Sequence, residues 1–146
     1  MAPTRRRRGV TLLELLVTLA LVGILAGLAY PSYRGHLLRA HRIEAIEALL
    51  AIAAAQERFH LQHGRYAEGF EPAVTPGLPL HPVTNGARYE LRVSTAPPAR
   101  YAARASARPG SGQDQDGRCL EFGLDDSGRR WAADSLGQDS TEACWR

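Results

Sequence analysis

The chain contains no lysine: all 18 of its basic residues are arginine, set against 15 acids. It holds only two cysteines, Cys119 and Cys144, and neither has a histidine near it in sequence, so a zinc ligand set is missing. Its histidines, His36, His41, His60, His63 and His81, make no H-E-x-x-H or other metal-binding spacing. No phosphate loop, no G-x-S-x-G turn and no Ser/His/Asp arrangement is present. These absences leave no catalytic constellation and call for no cofactor and no metal, so the chain reads as a non-enzyme. At 146 residues it allows one modest domain beyond any membrane segment.

What the chain does have is concentrated at its start. Arg5 to Arg8 and Gly9 precede an apolar run from Val10 to Tyr30, 21 residues broken by one acid, Glu14. As a helix such a run spans about 30 Å, the hydrocarbon thickness of a bilayer. The arginine block outweighs the scattered Arg34, Arg39 and Arg42 on the far side, which places the N-terminus in the cytoplasm and exports the rest. A secretory signal with a site at Gly27-Leu28-Ala29 is the ordinary alternative. Against it, an h-region is normally about 7 to 15 residues and uncharged, and a carboxylate at bilayer depth costs up to about 3 kcal/mol unless it is paired or near the interface.

Gly9-Val10-Thr11-Leu12-Leu13-Glu14 resembles the processing signal of the type IV pilin superfamily, a basic leader ending in glycine before a hydrophobic stretch whose fifth residue is glutamate. The resemblance implies cleavage between Gly9 and Val10 by a prepilin peptidase on the cytoplasmic side and N-methylation of Val10, where the family usually has phenylalanine. The new amine, with a reference pKa of about 8, would be mostly cationic. By the same resemblance Glu14 is an assembly residue, its carboxylate pairing with the N-terminal amine of a neighbouring subunit in a filament core. A snorkelling interfacial acid without a partner is the local alternative.

With residues 1–9 removed, 14 arginines face 15 acids, so the alkaline pI of about 9.2 belongs to the leader. Cys119 and Cys144 both lie on the exported side, where oxidation and pairing are expected. Closing a loop of that size is worth about 3 kcal/mol in the chain-entropy model.

Residues 31–64 read as an amphipathic continuation of the helix, with a kink at Pro31. From His36 to His63 there is no further proline, and Ile43, Ile46, Leu50 and Ala53, widened by Leu49, Ile52 and Phe59, form a stripe that should be buried. Gly64 is the expected C-cap. In the membrane half Gly23 and Gly27 make a G-x-x-x-G spacing. Residues 65–86 hold Pro72, Pro76, Pro79 and Pro82 and read as a variable loop. Alternation then marks strands at 88–95, 100–108 and 119–124, with a short fourth at 129–132. Pro97-Pro98 turns between the first two, and Asp125 to Gly128 turns between the last two.

Tyr30-Pro31-Ser32-Tyr33, Gln56-Glu57-Arg58-Phe59 with Gly64-Arg65-Tyr66, and the closing Cys144-Trp145 resemble the PilE-type minor pilins. The expectation is an α+β type IV pilin fold. A long kinked N-terminal helix with a transmembrane first half packs on an antiparallel sheet of three or four strands in residues 87–146, with a C-terminal disulfide-bounded loop. The implied function is a minor pilus subunit in the inner membrane, single-pass with its C-terminus in the periplasm, later in an extracellular pilus. Its implied partners are other pilins, prepilin peptidase and the inner-membrane pilus assembly platform. A type II secretion pseudopilin and a non-polymerising membrane-anchored periplasmic binding domain are the alternatives.

Two further patterns admit a ligand. Arg88, Arg92, Arg100, Arg104 and Arg108 share one sheet face by parity and make a candidate DNA-phosphate stripe. Against this, residues 64–146 hold ten arginines and eleven acids, and a solvated face interleaved with Glu90 and Glu121 accounts for the same pattern. Asp114-Gln115-Asp116-Gly117, with Asp125 in twelfth position, resembles a calcium loop without the closing glutamate or flanking helices, so an acidic turn is the plainer reading.

Overall fold

The structure, a computed structural model, describes residues 11–96 and 100–146, apart from the side chains at 31 and 32. The expectations for Gly9, Val10, the Pro97-Pro98 turn and a kink driven by the Pro31 ring lie outside the described residues. The chain divides into two compact units, Met1–Leu37 and Leu38–Arg146, and helix α1 (Leu12–His63) contributes to both.

In the first unit the described part is helix alone. Thr11 starts it: the Glu14 backbone N–H donates to Thr11 Oγ1 at 3.2 Å, so Thr11 stands at the N-cap and Glu14 at N3. Every residue from 11 to 30 is exposed, the leucines, valines and isoleucine included. With a mean hydropathy of 2.4 over its most apolar window, α1 is long and apolar enough to cross a membrane.

The second unit is α+β. The remainder of α1 is followed by β1 (Tyr89–Ala96), β2 (Arg100–Ala107), a 3-10 turn at Gln113–Gln115, β3 (Glu121–Asp125), β4 (Arg130–Ala133) and the single-turn helix α2 (Thr141–Cys144). The strands form one antiparallel meander in the order β1-β2-β3-β4. Their inner face carries Tyr89 and Leu91, Tyr101, Ala103 and Ala105, Phe122 and Leu124, then Ala132, all buried. Alanines on β2 keep the centre of that face low, so the helix can lie close to it. Tyr89 meets Phe122 edge-on at 5.9 Å between centroids, and Phe122 meets Trp145 likewise at 6.1 Å.

On α1 the buried residues are Ala45, Leu49, Ile52, Ala55, Gln56 and Phe59. This corrects the stripe read from sequence. Ile43 and Leu50, expected inside, are 55% and 45% exposed, and Ile46 and Ala53 are only partly covered at the flank. Spacings of three and four fit two adjacent stripes of an alanine-rich helix equally well, and the sheet covers the one that contains Leu49 and Ile52.

Gly64 ends the helix at φ 67°, its N–H donating to His60 C=O at 2.8 Å, in the left-handed conformation that glycine adopts without strain. The following loop is pinned back by Gln56, which is fully buried. Its Nε2 donates to Ala67 C=O at 2.9 Å and its Oε1 accepts from Ala67 N–H at 2.8 Å, as a strand partner would. Arg42 makes the second cross-tie, donating through Nε and Nη2 to the two oxygens of Asp116 at 2.7 and 2.9 Å. Asp116 is almost wholly buried, and Gln113 donates to it at 3.2 Å and to Leu38 C=O at 3.2 Å. Cys119 and Cys144 are bonded, their Cα atoms 5.9 Å apart, and join the start of β3 to α2.

Candidate functional site

Glu14 lies on the exposed apolar helix of the first unit, the one acid among the described residues from 11 to 43. Its backbone is tied to Thr11, and as an N3 residue its carboxylate sits where the helix dipole favours negative charge. The T-x-x-E signal was present in the sequence and escaped notice beside the longer processing motif. Gly23 and Gly27 share the exposed helix, and a Cβ at either would meet open space. Among the described residues their spacing therefore serves no packing.

The five candidate arginines do not act as one stripe. Arg92 and Arg104 face each other across the β1–β2 register, on the outer face, and Arg100 follows opposite Ala96. Arg88 is different, and its assignment to that face is corrected. The strand begins one residue later, at Tyr89, after Ala87 takes φ 56°, and Arg88 turns toward α1, where Nη1 donates to Glu44 Oε2 at 2.8 Å. Glu44 also accepts from Gly86 N–H at 2.9 Å. Burial pushes the Glu44 pKa up, but hydrogen bonds from Thr84, Arg88 and Gly86 outweigh it and hold the carboxyl below its ordinary value.

Each of the other four has a partner. Arg92 pairs with Glu90 at 3.0 Å, Arg104 with Glu121 at 2.8 Å and Arg100 with Asp126 at 3.5 Å, while Arg108 donates to Ala87 C=O at 3.1 Å. The three ion pairs are exposed, hence worth little, and their arginines remain available to other anions. Trp131 stands in the same transverse row: Arg92, Arg104, Gly123 and Trp131 are successive cross-strand neighbours. The indole lies over Gly123, where a Cβ would run into the ring, and the Arg104 guanidinium sits 5.8 Å from the Trp131 ring. Sequence reasoning missed Trp131 because its place beside Arg104 depends on the cross-strand register of β2, β3 and β4, which no local pattern in the sequence carries.

The three carboxylates of the calcium-like stretch serve separate ends. Asp114 accepts from Gly110 N–H at 2.9 Å, and Asp116 holds Arg42. Asp125 caps the β3–β4 turn, accepting from Ser127 N–H, Ser127 Oγ and Arg129 N–H at 3.0, 2.6 and 3.0 Å. Burial would raise the Asp125 pKa, yet these bonds and the nearby Arg129 charge bring it below the ordinary value. Among the described residues no three His, Cys, Asp or Glu side chains converge as metal ligands do.

An exposed apolar helix that turns amphipathic, lies on an antiparallel meander and ends in a disulfide-closed segment is the type IV pilin fold. The family model described as type IV minor pilin ComP, DNA uptake sequence receptor, matches residues 31–123, and the prokaryotic N-terminal methylation motif matches residues 4–30. The chain belongs to the type IV minor pilin ComP family. It is similar to the type IV major pilin protein PilA of Myxococcus xanthus, 35% identical over 96 residues, which cover 62% of this chain and 39% of that protein. It is also similar to the type IV major pilin protein PilE1 of Neisseria gonorrhoeae, 39% identical over 62 residues, 42% of this chain and 38% of that protein. The type II secretion system core protein G of Klebsiella pneumoniae is 36% identical over 62 residues, 42% of this chain and 44% of that protein. The chain thus spans less than half the length of these relatives. Among solved structures, the crystal structure of the non-core minor pilin PilV of Neisseria meningitidis covers 70% of this chain and 93% of its own, with a TM-score of 0.52 and 19% identity, a likeness of fold alone.

Proposed function

We propose that the chain is a minor structural subunit of a type IV pilus that assembles or primes the fibre and has no catalytic activity of its own. Prepilin peptidase cuts between Gly9 and Val10 and methylates Val10. The apolar helix stores the subunit in the inner membrane, and the pilus assembly platform then passes it into a helical filament with other pilins. Glu14 is the assembly residue, its carboxylate pairing with the N-terminal amine of a neighbour. One observation carries this reading: from residue 11 to residue 30 the helix is exposed on every face, so its apolar surface needs lipid or other subunits, and Glu14 is its one charge. Mass spectrometry of sheared pili tests it, with the subunit expected to begin at methylated Val10. Glu14→Ala should remove the chain from the fibre while it accumulates in the membrane. Unchanged incorporation would refute the assembly role of Glu14, and absence of the unsubstituted chain from sheared pili would refute the filament role and leave an anchored binding domain.

A second reading adds DNA capture. The matched family is described as a DNA uptake sequence receptor, and Arg92, Arg100 and Arg104 are exposed on one sheet face beside Trp131. Fluorescence anisotropy of the full chain in detergent micelles with duplex DNA tests it. Binding should weaken as salt rises, and absence of binding at low salt ends this reading without touching the structural one.

A further inference from the structure

The two edges of the sheet are finished differently. On β4 the chain covers its own edge at Ala132, whose N–H donates to Thr141 Oγ1 at 2.9 Å and whose C=O accepts from Ser140 N–H at 2.9 Å. On β1 the sealing stops halfway. Residues 82–84 run antiparallel beside its first half, Thr84 N–H donating to Tyr89 C=O at 3.1 Å and Leu91 N–H to Pro82 C=O at 2.7 Å. Beyond Pro82 the neighbouring segment leaves the sheet, because Leu80 folds back on Leu78 at 2.8 Å and Leu78 bonds to Gly69 and Glu71 instead.

Strand geometry then fixes what is left over. Arg88 C=O accepts from Arg108 N–H, so even-numbered residues of β1 bond to β2, while odd-numbered ones point to the open side. Leu91 C=O and both backbone groups of Val93 therefore face outward, and among the described residues no hydrogen bond reaches them. In line with residues 82–84 lies a recess of about 460 Å³, lined by Pro72, Val74, Pro82, Leu91, Arg92 and Val93. Residues from both faces of β1 line it, so it runs along the edge.

We propose that this open half of β1 is a strand-addition site that takes an extended segment of another polypeptide, antiparallel to β1, with apolar and acidic residues alternating. A row of N–H and C=O groups at strand spacing is matched by a second backbone. The alternation follows from the walls: one side of the incoming strand meets Leu91, Val93 and Val74, the other meets Arg92, while Glu71, the one acid in the lining, accepts from Gly77 N–H of its own loop at 3.5 Å. Arg92 is well exposed, and its pairing with Glu90 on its own strand is weak enough to exchange for an acid on the partner.

The probe is a synthetic octapeptide alternating valine with glutamate, added to the full chain in detergent micelles while amide exchange at Val93 and the chemical shift of Arg92 are followed by NMR. Protection of the Val93 amide, with about tenfold weaker binding for a peptide N-methylated on the bonds that face β1, is the expected result. Arg92→Glu should weaken the acidic peptide and favour one with lysine in place of glutamate. Equal binding of the N-methylated peptide, or no protection at millimolar peptide, overturns the proposal. Protection of Val93 that rises with protein concentration in the absence of peptide overturns it in favour of a second copy of this chain.

Discussion

Replacing Gln56 by leucine keeps the volume at the centre of the helix–loop contact and removes both of its polar atoms. The carbonyl and N–H of Ala67, which is fully buried, then lose partners at 2.9 and 2.8 Å. An orphaned buried backbone group costs about 1–3 kcal/mol, so two of them, offset in part by the apolar gain of leucine, destabilise by about 3 kcal/mol. Gln56→Glu sharpens the test. Protonated, its carboxyl still donates to Ala67 C=O and accepts from Ala67 N–H; ionised, it faces that carbonyl with a negative charge inside the protein. The folded-state pKa of this glutamate must therefore rise above its unfolded value of about 4.3. For a group so raised, the stabilising contribution is complete below the unfolded pKa and is lost as pH rises through the folded one. Urea unfolding of the full chain in detergent micelles, followed by near-ultraviolet circular dichroism of Trp131 and Trp145, should place Gln56→Glu near the parent protein at about pH 4. By neutral pH it should fall toward the leucine variant. A flat pH profile for Gln56→Glu, or a leucine variant within about 1 kcal/mol of the parent, would refute the clamp.

The remaining expectations use the same unfolding assay. Glu44 and Asp125 have depressed carboxyl pKa values, so their contribution is present above the unfolded values near 4 and lost as pH falls through the folded ones; Glu44→Gln and Asp125→Asn should each flatten the acid limb of the stability curve. Arg42→Ala leaves Asp116 buried without its bidentate partner and should cost about 3–5 kcal/mol, more than Asp116→Asn in the Arg42→Ala background. Replacing Cys119 and Cys144 by alanine together opens a loop with a sequence separation of 25 and should lower stability by about 3 kcal/mol. A loss under about 1 kcal/mol would mean that the contacts of Trp145 hold the C-terminal segment without the bond.

Where the sequence was legible, a local period sufficed. The strands at 89–96, 100–107, 121–125 and 130–133 fall within one or two residues of the alternating runs, because a half-buried strand must alternate whatever it packs against. The helix end at His63 and the glycine beyond it were equally legible, since the left-handed turn needs a particular residue. The errors arose where the deciding partner is far along the chain. Leu49 rather than Leu50 is buried because of where the sheet lies, and nothing within the helix says so. Arg88 obeys strand parity until Glu44, 44 positions earlier, offers it a closer anion than any on its own face. Gln56 reads as a polar residue on an apolar flank until Ala67 supplies its two partners.

The same distinction separates the parts of the candidate function. Glu14 stands out because its oddity is local, a charge within an apolar run, and the helix around it is exposed. The arginines of the sheet are not odd locally, and counting them by sign and parity overstated their unity. Once Glu44 takes Arg88, and Ala87 C=O takes Arg108, the outer face keeps Arg92, Arg100 and Arg104, and Gly123 lets the Trp131 ring lie beside the middle of that row. A cation next to a flat aromatic surface is a more selective feature than five arginines in a stripe, because stacking and charge must be matched together. If this face binds an anionic partner, Arg104→Ala and Trp131→Ala should each weaken it more than Arg108→Ala does. Equal losses at all three positions would return the face to a diffuse field of charge.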